Sequence, residues 1–356
     1  MKVGILTYHR SHNFGALLQA IALRSVLERM GHQTTFIDYW PSYHRRMYAS
    51  FSISWLASCK GLRNKISYLL GCLFNYKYRI RRISVFNSFI MENIGPYVSK
   101  LDEKYDIVVH GSDQIWRKQP IINSYNPFYF GKHNIKTLKK VSYAASMGVL
   151  PNTEEDKIAV RDYLSNLDVI SVRETDLKNM LLSLGYKNVY MDVDPTLLLT
   201  RKEWIEMFHL KCNKDRIAVY YKLQDSFDIN ELQRFAHSLG LTLKVIHCRM
   251  EKAHGVNDLF FLDPKQFLEY IYIADIVFTS SFHGLVFSIL FHKPFFASFI
   301  ENAGRASSLL STLSLSDHLL TPKSLLPDCL EPIDYKKVDK SLKILRNSSL
   351  SRLSNI

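Results

Sequence analysis

Apolar runs of strand length alternate along the chain with longer segments of helical spacing, a pattern typical of α/β proteins with parallel sheets. The first unit joins a strand over 3–8, a helix over 15–30 that ends at Gly31, and a strand over 34–39. Further elements of the same series are strands at 106–110, 140–144, 169–172 and near 189, and helices at 154–166 and 175–184. The pattern predicts a doubly wound, Rossmann-like domain.

A second alternating series begins at residue 216. Its elements are strands at 216–222, 242–247, 275–279 and 295–299, and helices at 229–239, 264–274, 285–291 and 305–313. Asp194-Pro195-Thr196 interrupts the pattern between the two series, and proline holds the residue before it extended. We therefore predict two Rossmann-like domains facing each other across a cleft, over 1–195 and 196–325. A basic tail over 326–356 is expected to pack back on the first domain.

The segment 41–100 interrupts the alternation, and we predict that it forms two or three helices. It contains ten Lys or Arg and one acid, Glu92, and so supplies +9 of the net charge of +13. Its large rings include Tyr43, Tyr48, Phe51, Trp55, Tyr68, Phe74, Tyr76, Tyr78, Phe86 and Phe89. This mixture suits an anionic membrane surface or a phosphate-bearing acceptor. The alternative is a solvated helical hairpin whose rings face the core.

Two expectations follow for the partners of this segment. If it binds a membrane, removal of Arg79, Arg81 and Arg82 should weaken liposome binding. Nucleic acid is not an expected partner, because no RNA-recognition module surrounds the basic residues.

Length and composition indicate the class of protein. The 356 residues, 47% of them apolar, suffice for two cores. No two cysteines have the spacing of a metal or redox pair, which favours a reducing compartment; they are Cys59, Cys72, Cys212, Cys248 and Cys329. The first strand is too brief for a signal peptide, and no apolar stretch reaches the length of a membrane span. We expect a cytoplasmic protein, with peripheral contact at the inner face of the membrane left open.

The strongest candidate site is the stretch 280–284 (SSFHG), which lies between a buried strand and a buried helix. Ligands of open α/β sheets bind at the carboxyl ends of strands, and a helix start offers unpaired N–H groups to a phosphate or carboxylate. His283 adds a titratable group beside such an anion. The alternative is that Ser281 caps the helix and His283 is a packed ring.

Three other strand ends carry polar residues. Asn13 and Gly15 precede the first helix, with Gln19 one turn further along, but the loop lacks the G-x-G-x-x-G pattern of dinucleotide sites. The loop 111–116 (GSDQIW) presents Asp113, suited to hold or deprotonate a sugar hydroxyl, or else to cap a helix. Arg173 offers a planar fork for a carboxylate or phosphate, or else forms an ion pair with Glu174 or Asp176.

Several familiar motifs are missing from the sequence. It has no G-x-S-x-G elbow, no Walker A loop and no D-x-D pair to hold a metal on a nucleotide sugar. The thirteen histidines lack metal-ligand spacing. We therefore expect no metal and no bound cofactor.

Taken in order, these strings resemble the polysaccharide pyruvyl transferase family. The resemblance spans about residues 1–320 and is carried by 4–7 (GILT), 13–19 (NFGALLQ), 111–116 (GSDQIW), 142–146 (SYAAS), 171–174 (SVRE), 194–198 (DPTLL), 280–284 (SSFHG) and 293–294 (KP). It implies a fold similar to the two-domain GT-B glycosyltransferases. It also implies transfer of a carboxyethylidene group from phosphoenolpyruvate to two hydroxyls of a sugar in a bacterial surface polysaccharide, such as a capsule or exopolysaccharide.

The resemblance also implies roles for individual residues. The family's donor site uses basic residues and a histidine, which correspond here to Arg173 and His283. We assign His283 to acid catalysis or to the leaving phosphate, and Asp113 to the acceptor hydroxyl. The full set of candidate donor contacts is Arg173, Ser281, Phe282, Gly284 and Arg305. The candidate acceptor contacts are Asn13, Gly15, Gln19, Ser112, Gln114 and Ser146.

The sequence departs from the family pattern at one position. Many relatives carry arginine where this chain has Ser281, and the departure removes a cation from the donor site. Arg305, Lys293 and Arg201 are the candidate replacements. The expected acceptor is a sugar on a lipid-linked precursor, such as an undecaprenyl-diphosphate-linked oligosaccharide.

Two other functions remain open at this level. A GT-B glycosyltransferase with a nucleotide-sugar donor would share the fold. A non-catalytic protein that binds surface sugars or membranes would use segment 41–100 as its functional part.

Overall fold

The computed structural model describes residues 1–212, 215–248, 257–327 and 331–356, apart from the side chains of Ser54, Trp55 and Ser58. The strands are β1 (Lys2–Leu6), β2 (Gln33–Ile37), β3 (Val98–Ser99), β4 (Tyr105–His110), β5 (Thr137–Ser142), β6 (Ile170–Val172), β7 (Val189–Met191), β8 (Ile217–Lys222), β9 (Thr242–His247), β10 (Asp258–Leu259), β11 (Ile276–Thr279), β12 (Phe295–Ser298) and β13 (Leu319–Leu320). The helices are α1 (Phe14–Arg29), α2 (Ser42–Met47), α3 (Ile53–Ser58), α4 (Leu62–Phe74), α5 (Tyr76–Asn93), α6 (Glu154–Leu164), α7 (Thr175–Ser183), α8 (Pro195–Leu198), α9 (Arg201–Phe208), α10 (Ile229–Ser238), α11 (Pro264–Ile273), α12 (Phe282–Leu290), α13 (Gly304–Thr312) and α14 (Tyr335–Leu353).

The strands form two parallel sheets with the same connectivity. The first sheet has the order β3-β2-β1-β4-β5, and the second has the order β10-β9-β8-β11-β12-β13. Parallel bridges from Val141 to Val169 and from Ala145 to Val172 continue the first sheet into the pair β6-β7. In both sheets the chain crosses back after its third strand and adds the fourth beside the first. Both sheets are therefore Rossmann-like, and the prediction of a GT-B-like α/β fold is confirmed.

Each sheet has a point where the strand order reverses, and ligands bind outside the carboxyl ends of the strands at such a point. In the first sheet this point lies between β1 and β4, and in the second it lies between β8 and β11. The loops that follow these four strands include the stretches 13–15, 111–116, 223–225 and 280–284. The sheets are packed together partly by the rings of Phe14 on α1 and Phe267 on α11, whose centroids are 4.8 Å apart.

The segment 41–100 forms four helices, α2 to α5, whereas two or three were predicted. Helix α5 is anchored in the core by Phe86, Phe89 and Ile90. Its two phenylalanine rings thus face the core, as expected for the alternative of a helical hairpin. Helix α4 differs, because nearly all of its surface is exposed apart from Cys72. The segment therefore does not behave as one unit, since α5 is partly buried and α4 is mostly exposed.

The tail forms helix α14, which contacts the chain on both sides of the proposed boundary at 194–196. Arg352 donates to Asp192, and Arg346 donates to the backbone oxygen of Leu197. Tyr335 donates to the backbone oxygen of Lys293, which follows α12. The domain limits 1–195, 196–325 and 326–356 remain predictions.

Over the described residues, none of the helices has both the length and the apolar character that crossing a bilayer requires. Two residues singled out in the sequence, Cys329 and the Trp55 side chain, lie outside the described part of the structure.

Gly284 is constrained by the packing of α12 on the second sheet. A Cβ atom at this position would collide with Thr279 Oγ1 and come within 2.8 Å of Tyr221 Cδ1. We expect Gly284→Ala to lower the free energy of unfolding by about 1–3 kcal/mol, because the buried methyl group overpacks the core. Denaturant unfolding of wild type and variant measures the difference.

Gly71 is the matched control, since it lies within α4 and has open space around its Cα. Gly71→Ala should leave stability unchanged or raise it by up to about 1 kcal/mol, as alanine favours a helix. Equal effects of the two substitutions would contradict the packing argument.

Candidate active site

The buried carboxylate of Asp194 joins two predicted site residues that are distant in sequence. Asp194 follows β7 and caps α8, where its Oδ1 accepts hydrogen bonds from the backbone N–H and hydroxyl of Thr196. Its Oδ2 accepts a hydrogen bond from the Arg173 guanidinium. The same oxygen lies 3.5 Å from Nε2 of His283. The loops after β7 and β11 are thereby linked through one oxygen atom.

Arg173 and Arg305 occupy a common cluster of charges with Asp113, Glu174 and Asp194, which we call the ion cluster. Arg173 is 3.8 Å from both Asp113 and Glu174, and Arg305 is 3.9 and 4.0 Å from the same two carboxylates. Both guanidinium groups also lie against the Phe282 ring, at 4.8 and 5.2 Å from its centroid. Phe282 therefore contributes its ring to the cluster as well as its backbone to the start of α12.

The environment of the cluster shifts the pKa of several members. Burial alone would raise the pKa of Asp194, but Arg173 and His283 outweigh it and hold the pKa well below its usual range. Burial raises the pKa of Glu174 above its usual value, despite the nearby Arg173 and Arg305. Burial and the Arg173 charge lower the pKa of Arg305 to about 10, so that Arg305 remains protonated at neutral pH.

His283 lies where the starts of two helices meet. It is the second residue of α12, and its ring packs directly on Gly15 near the start of α1, where any Cβ would overlap the imidazole. The first N–H groups of a helix lack intrahelical partners and carry partial positive charge. Two such helix starts and an imidazole therefore converge on one place.

A cavity of about 760 Å³ opens beside His283, and we call it the cleft. Residues from both sheets line it, among them Asn13, Asp113, Gln114, Ser281, Phe282, His283 and Arg305. Seven of the thirteen candidate site residues thus line this cavity, which is large enough for a donor and a sugar together.

Three basic residues of the cleft were not identified from the sequence. They are His12, Arg82 and Arg117. His12 has no metal-ligand spacing in the sequence, and the sequence favours a membrane surface for Arg82. Arg82 lies instead on the inner side of α5, where it donates to the backbone oxygen of His12. Its proximity to Phe86, a core ring one turn later, is the signal that could have placed it here.

The structure changes the assignment of Arg173. Its side chain is almost fully buried, its guanidinium is hydrogen-bonded to Asp194, and Asp113 and Glu174 are also near. Glu174 is one of the two partners that the ion-pair alternative named, but the hydrogen-bonded partner is Asp194, and Arg173 is absent from the lining of the cleft. Arg305 reaches the cleft and remains the candidate donor cation.

Asn13, Gln19, Ser112 and Ser146 are held by contacts within the protein. Asn13 lines the cleft, but its side chain also caps α1 by accepting from the backbone N–H of Ala16. Gln19 accepts from the backbone N–H of Ser112, and Ser146 donates to Glu174. Gln19, Ser112 and Ser146 are fully buried, and these contacts hold the surrounding loops in place.

Gly15 and Gly284 are likewise packing residues, since each lies against side chains that leave no room for a Cβ. Ser281 occupies the N-cap position of α12 without a side-chain capping bond, so the simple capping alternative fails for it.

Lys293 and Arg201 cannot replace the missing cation at position 281. Lys293 follows the end of α12, whereas the cleft lies at the start of that helix. Both cations lie over the Tyr272 ring, at 5.7 and 5.9 Å from its centroid. Of the three proposed replacements, only Arg305 lines the cleft.

No group of three or more His, Cys, Asp or Glu that could hold a metal ion occurs among the residues with described positions.

Comparison with known families and structures gives one extensive sequence match. The family model for polysaccharide pyruvyl transferase matches residues 13–298, which include every candidate site residue except Arg305. No curated protein sequence matches the chain significantly.

Several solved structures match the chain over nearly its whole length at low identity. UDP-GlcNAc 2-epimerase from Neisseria meningitidis, bound to UDP-GlcNAc, has a TM-score of 0.46 and 12% identity over 100% of this chain and 94% of its own. The UDP-GlcNAc 2-epimerase from Methanocaldococcus jannaschii has a TM-score of 0.45 and 10% identity over 98% of this chain and 93% of its own. Spinosyn forosaminyltransferase SpnP has a TM-score of 0.38 and 11% identity over 100% and 93%. Likeness at this level says nothing about the ligands of this chain.

Asp194 compensates the buried charge of Arg173, which gives a test of the ion cluster. We expect Asp194→Asn to lower the free energy of unfolding by about 3–5 kcal/mol at pH 7, because a buried guanidinium loses its partner. The pKa of Asp194 is lowered by folding, so its stabilising effect exists above the unfolded pKa near 4 and fades as the pH falls below it. The difference between wild type and variant should therefore shrink by about 1 kcal/mol at pH 3.

Denaturant titrations at pH 7 and pH 3 measure both effects. Asp162→Asn is the control, since Asp162 forms an exposed ion pair with Lys132 at 3.5 Å and should change stability by less than about 1 kcal/mol. A difference for Asp194→Asn that stays constant between the two pH values would argue against the lowered pKa.

Proposed function

The chain belongs to the polysaccharide pyruvyl transferase family, and we propose that it moves the carboxyethylidene group of phosphoenolpyruvate onto two hydroxyls of one sugar. The observation that carries this proposal is the position of His283, held beside Asp194 at the start of α12 and open to the cleft. An imidazole at a helix start can meet an anion and exchange a proton with it.

Phosphoenolpyruvate carries a carboxylate and a phosphate, and the cleft offers complementary groups to both. We place one anionic end at the free N–H groups of α12 and the other beside Arg305. Arg173 is outside the cleft lining, where it donates to Asp194 and lies 3.8 Å from Asp113. We therefore assign it to positioning the ion cluster and not to contact with the donor.

The proposed reaction needs one acid and one base. His283 protonates the methylene carbon of the donor, and Asp194 stabilises the charged imidazole that this requires. The first sugar hydroxyl attacks the resulting oxocarbenium carbon and gives its proton to Asp113. The carbon–oxygen bond to phosphate then breaks, and the phosphate leaves with the proton that Asp113 took from the first hydroxyl. The second hydroxyl attacks the same carbon to close the ketal and gives its proton to His283, which restores the acid.

The acceptor we propose is a sugar of a surface-polysaccharide precursor carried on a lipid diphosphate, such as an undecaprenyl-diphosphate-linked oligosaccharide. Arg82 and Arg117 support this, because they add cations to the cleft beyond those that the donor needs. Such a precursor would be met at the cytoplasmic face of the membrane.

We expect His283→Ala to lower kcat by about 10²–10⁴-fold, which is the typical cost of losing a positioned general acid. Phosphate release from phosphoenolpyruvate, measured with and without a panel of galactoside, glucoside and mannoside acceptors, follows the reaction. His237→Ala is the control, because His237 lies in the last turn of α10, away from the cleft. Wild-type turnover in His283→Ala, with an unchanged thermal transition, would refute the assignment.

We expect Arg305→Gln to raise the KM for phosphoenolpyruvate by roughly 10- to 100-fold, because a charge-assisted hydrogen bond to the donor is lost. Arg201→Gln is the matched control, since Arg201 is a cation outside the cleft lining. Binding is measured separately by the rise in melting temperature that the donor causes.

The same ligand titration separates the proposed donor from a nucleotide sugar. Stabilisation by UDP-sugars and none by phosphoenolpyruvate would favour the glycosyltransferase alternative. Stabilisation by phosphoenolpyruvate without acceptor-dependent release of phosphate would favour a non-catalytic binding protein.

A further inference from the structure

Helix α4 carries an apolar stripe that is open to solvent. Leu62, Ile66, Leu69 and Leu73 are spaced four, three and four residues apart, which puts them on one face of the helix. Their exposure is unusual for residues of this size, at 74% for Leu62 and 71% for Leu73. Leu70 and Phe74 widen the stripe, and Phe74 is 80% exposed.

The side of α4 away from the stripe attaches the helix to the protein. The Tyr68 hydroxyl accepts a hydrogen bond from the backbone N–H of Ser52, and its ring stacks on Phe51. Cys72, one turn later, is buried and accepts a hydrogen bond from Arg79. The stripe is therefore presented outward by a helix that is fixed from behind.

The charges around the stripe are of one sign. Arg63 and Lys65 are exposed on α4 itself, and Lys60 is exposed just before it. The sequence from Pro41 to Met91 contains no Asp or Glu at all. A second copy of this surface would bring like charges together, whereas an anionic surface would neutralise them.

We propose that α4 docks the protein on an anionic phospholipid bilayer, with its apolar stripe inserted among the headgroups. An apolar face flanked by Lys and Arg is the arrangement by which helices lie in the interface of such membranes. The docking residues are Leu62, Ile66, Leu69, Leu70, Leu73 and Phe74, with Lys60, Arg63 and Lys65 contacting lipid phosphates.

This assignment differs from the one made from sequence alone. Arg79 is turned inward to Ser50 and Cys72, Arg81 stacks on the Phe261 ring at 4.5 Å, and Arg82 lines the cleft. Each of the three thus has a partner within the protein. The proposed membrane contact therefore lies on α4, the helix that precedes the one carrying these three arginines.

The position of α4 gives the docking a consequence for the site, which rests on the proposed function. Helix α5 begins two residues after α4 ends, and Arg82 lies about 9 Å along it at 1.5 Å per residue. A sugar attached to a lipid diphosphate in the docked membrane would therefore meet Arg82 at the cleft.

Vesicle co-sedimentation of the full chain tests the docking. Wild type should bind vesicles that contain phosphatidylglycerol and lose that binding in pure phosphatidylcholine or at high salt. The triple variant Leu62→Ser, Leu73→Ser, Phe74→Ser should partition at least about 10-fold less, because three apolar anchors are lost. Arg63→Gln with Lys65→Gln should weaken binding by roughly 10- to 30-fold, at about 1 kcal/mol per cation.

The matched control is the triple variant Leu138→Ser, Leu325→Ser, Ile344→Ser, which removes three exposed apolar side chains outside α4 and should bind as wild type does. Absence of wild-type binding, or equal binding by both triple variants, would overturn the proposal. A wild-type dimer in sedimentation velocity that the α4 variant dissolves would also overturn it, because the stripe would then join two copies.

The assay of phosphate release with a water-soluble acceptor keeps the two proposals separate. The α4 triple variant should retain wild-type turnover with that acceptor, since its substitutions lie outside the cleft. Loss of vesicle binding with full turnover supports α4 docking. Inactive wild type that still binds vesicles would reject the pyruvyl transfer and leave the docking standing.

Discussion

The arrangement of the site depends on a single buried carboxylate. Asp194 accepts from Arg173 and lies beside His283, which come from loops of different sheets. A buried guanidinium without this partner would be costly, because it could not be solvated. The carboxylate therefore compensates Arg173 and also places an oxygen atom beside the imidazole of His283.

The sequence predicted the fold well because its signal is local. Alternating apolar runs identified the strands of both sheets apart from the two-residue β3, β10 and β13, which are too short to show a pattern. The short helices α8 and α9 were also missed. Segment 41–100 was harder, since basic and aromatic residues suit both a core-facing helix and a surface helix. Only packing separates α5, which is anchored by Phe86, from the exposed α4.

The sequence predicted which loops form the candidate site, but it did not predict the partners of the charged side chains there. Loops at the ends of β1, β4 and β11 were identified because strand ends converge in parallel sheets. Whether a cation is neutralised depends on contacts between residues that are distant in sequence, and no spacing rule predicts such contacts. Arg173 is surrounded by carboxylates, one of them Asp194, which the sequence placed at a boundary and in a family string but gave no contact with Arg173. Arg82 and Arg117 line the cleft, although neither was among the candidate site residues.

The convergence of α1 and α12 has a consequence for how the cleft responds to acidity. Each helix start contributes roughly half a positive charge from its peptide dipoles. Peptide groups do not titrate, so this part of the field is the same in acid and in alkaline solution. The attraction that the two helix starts offer to an anion is therefore independent of pH.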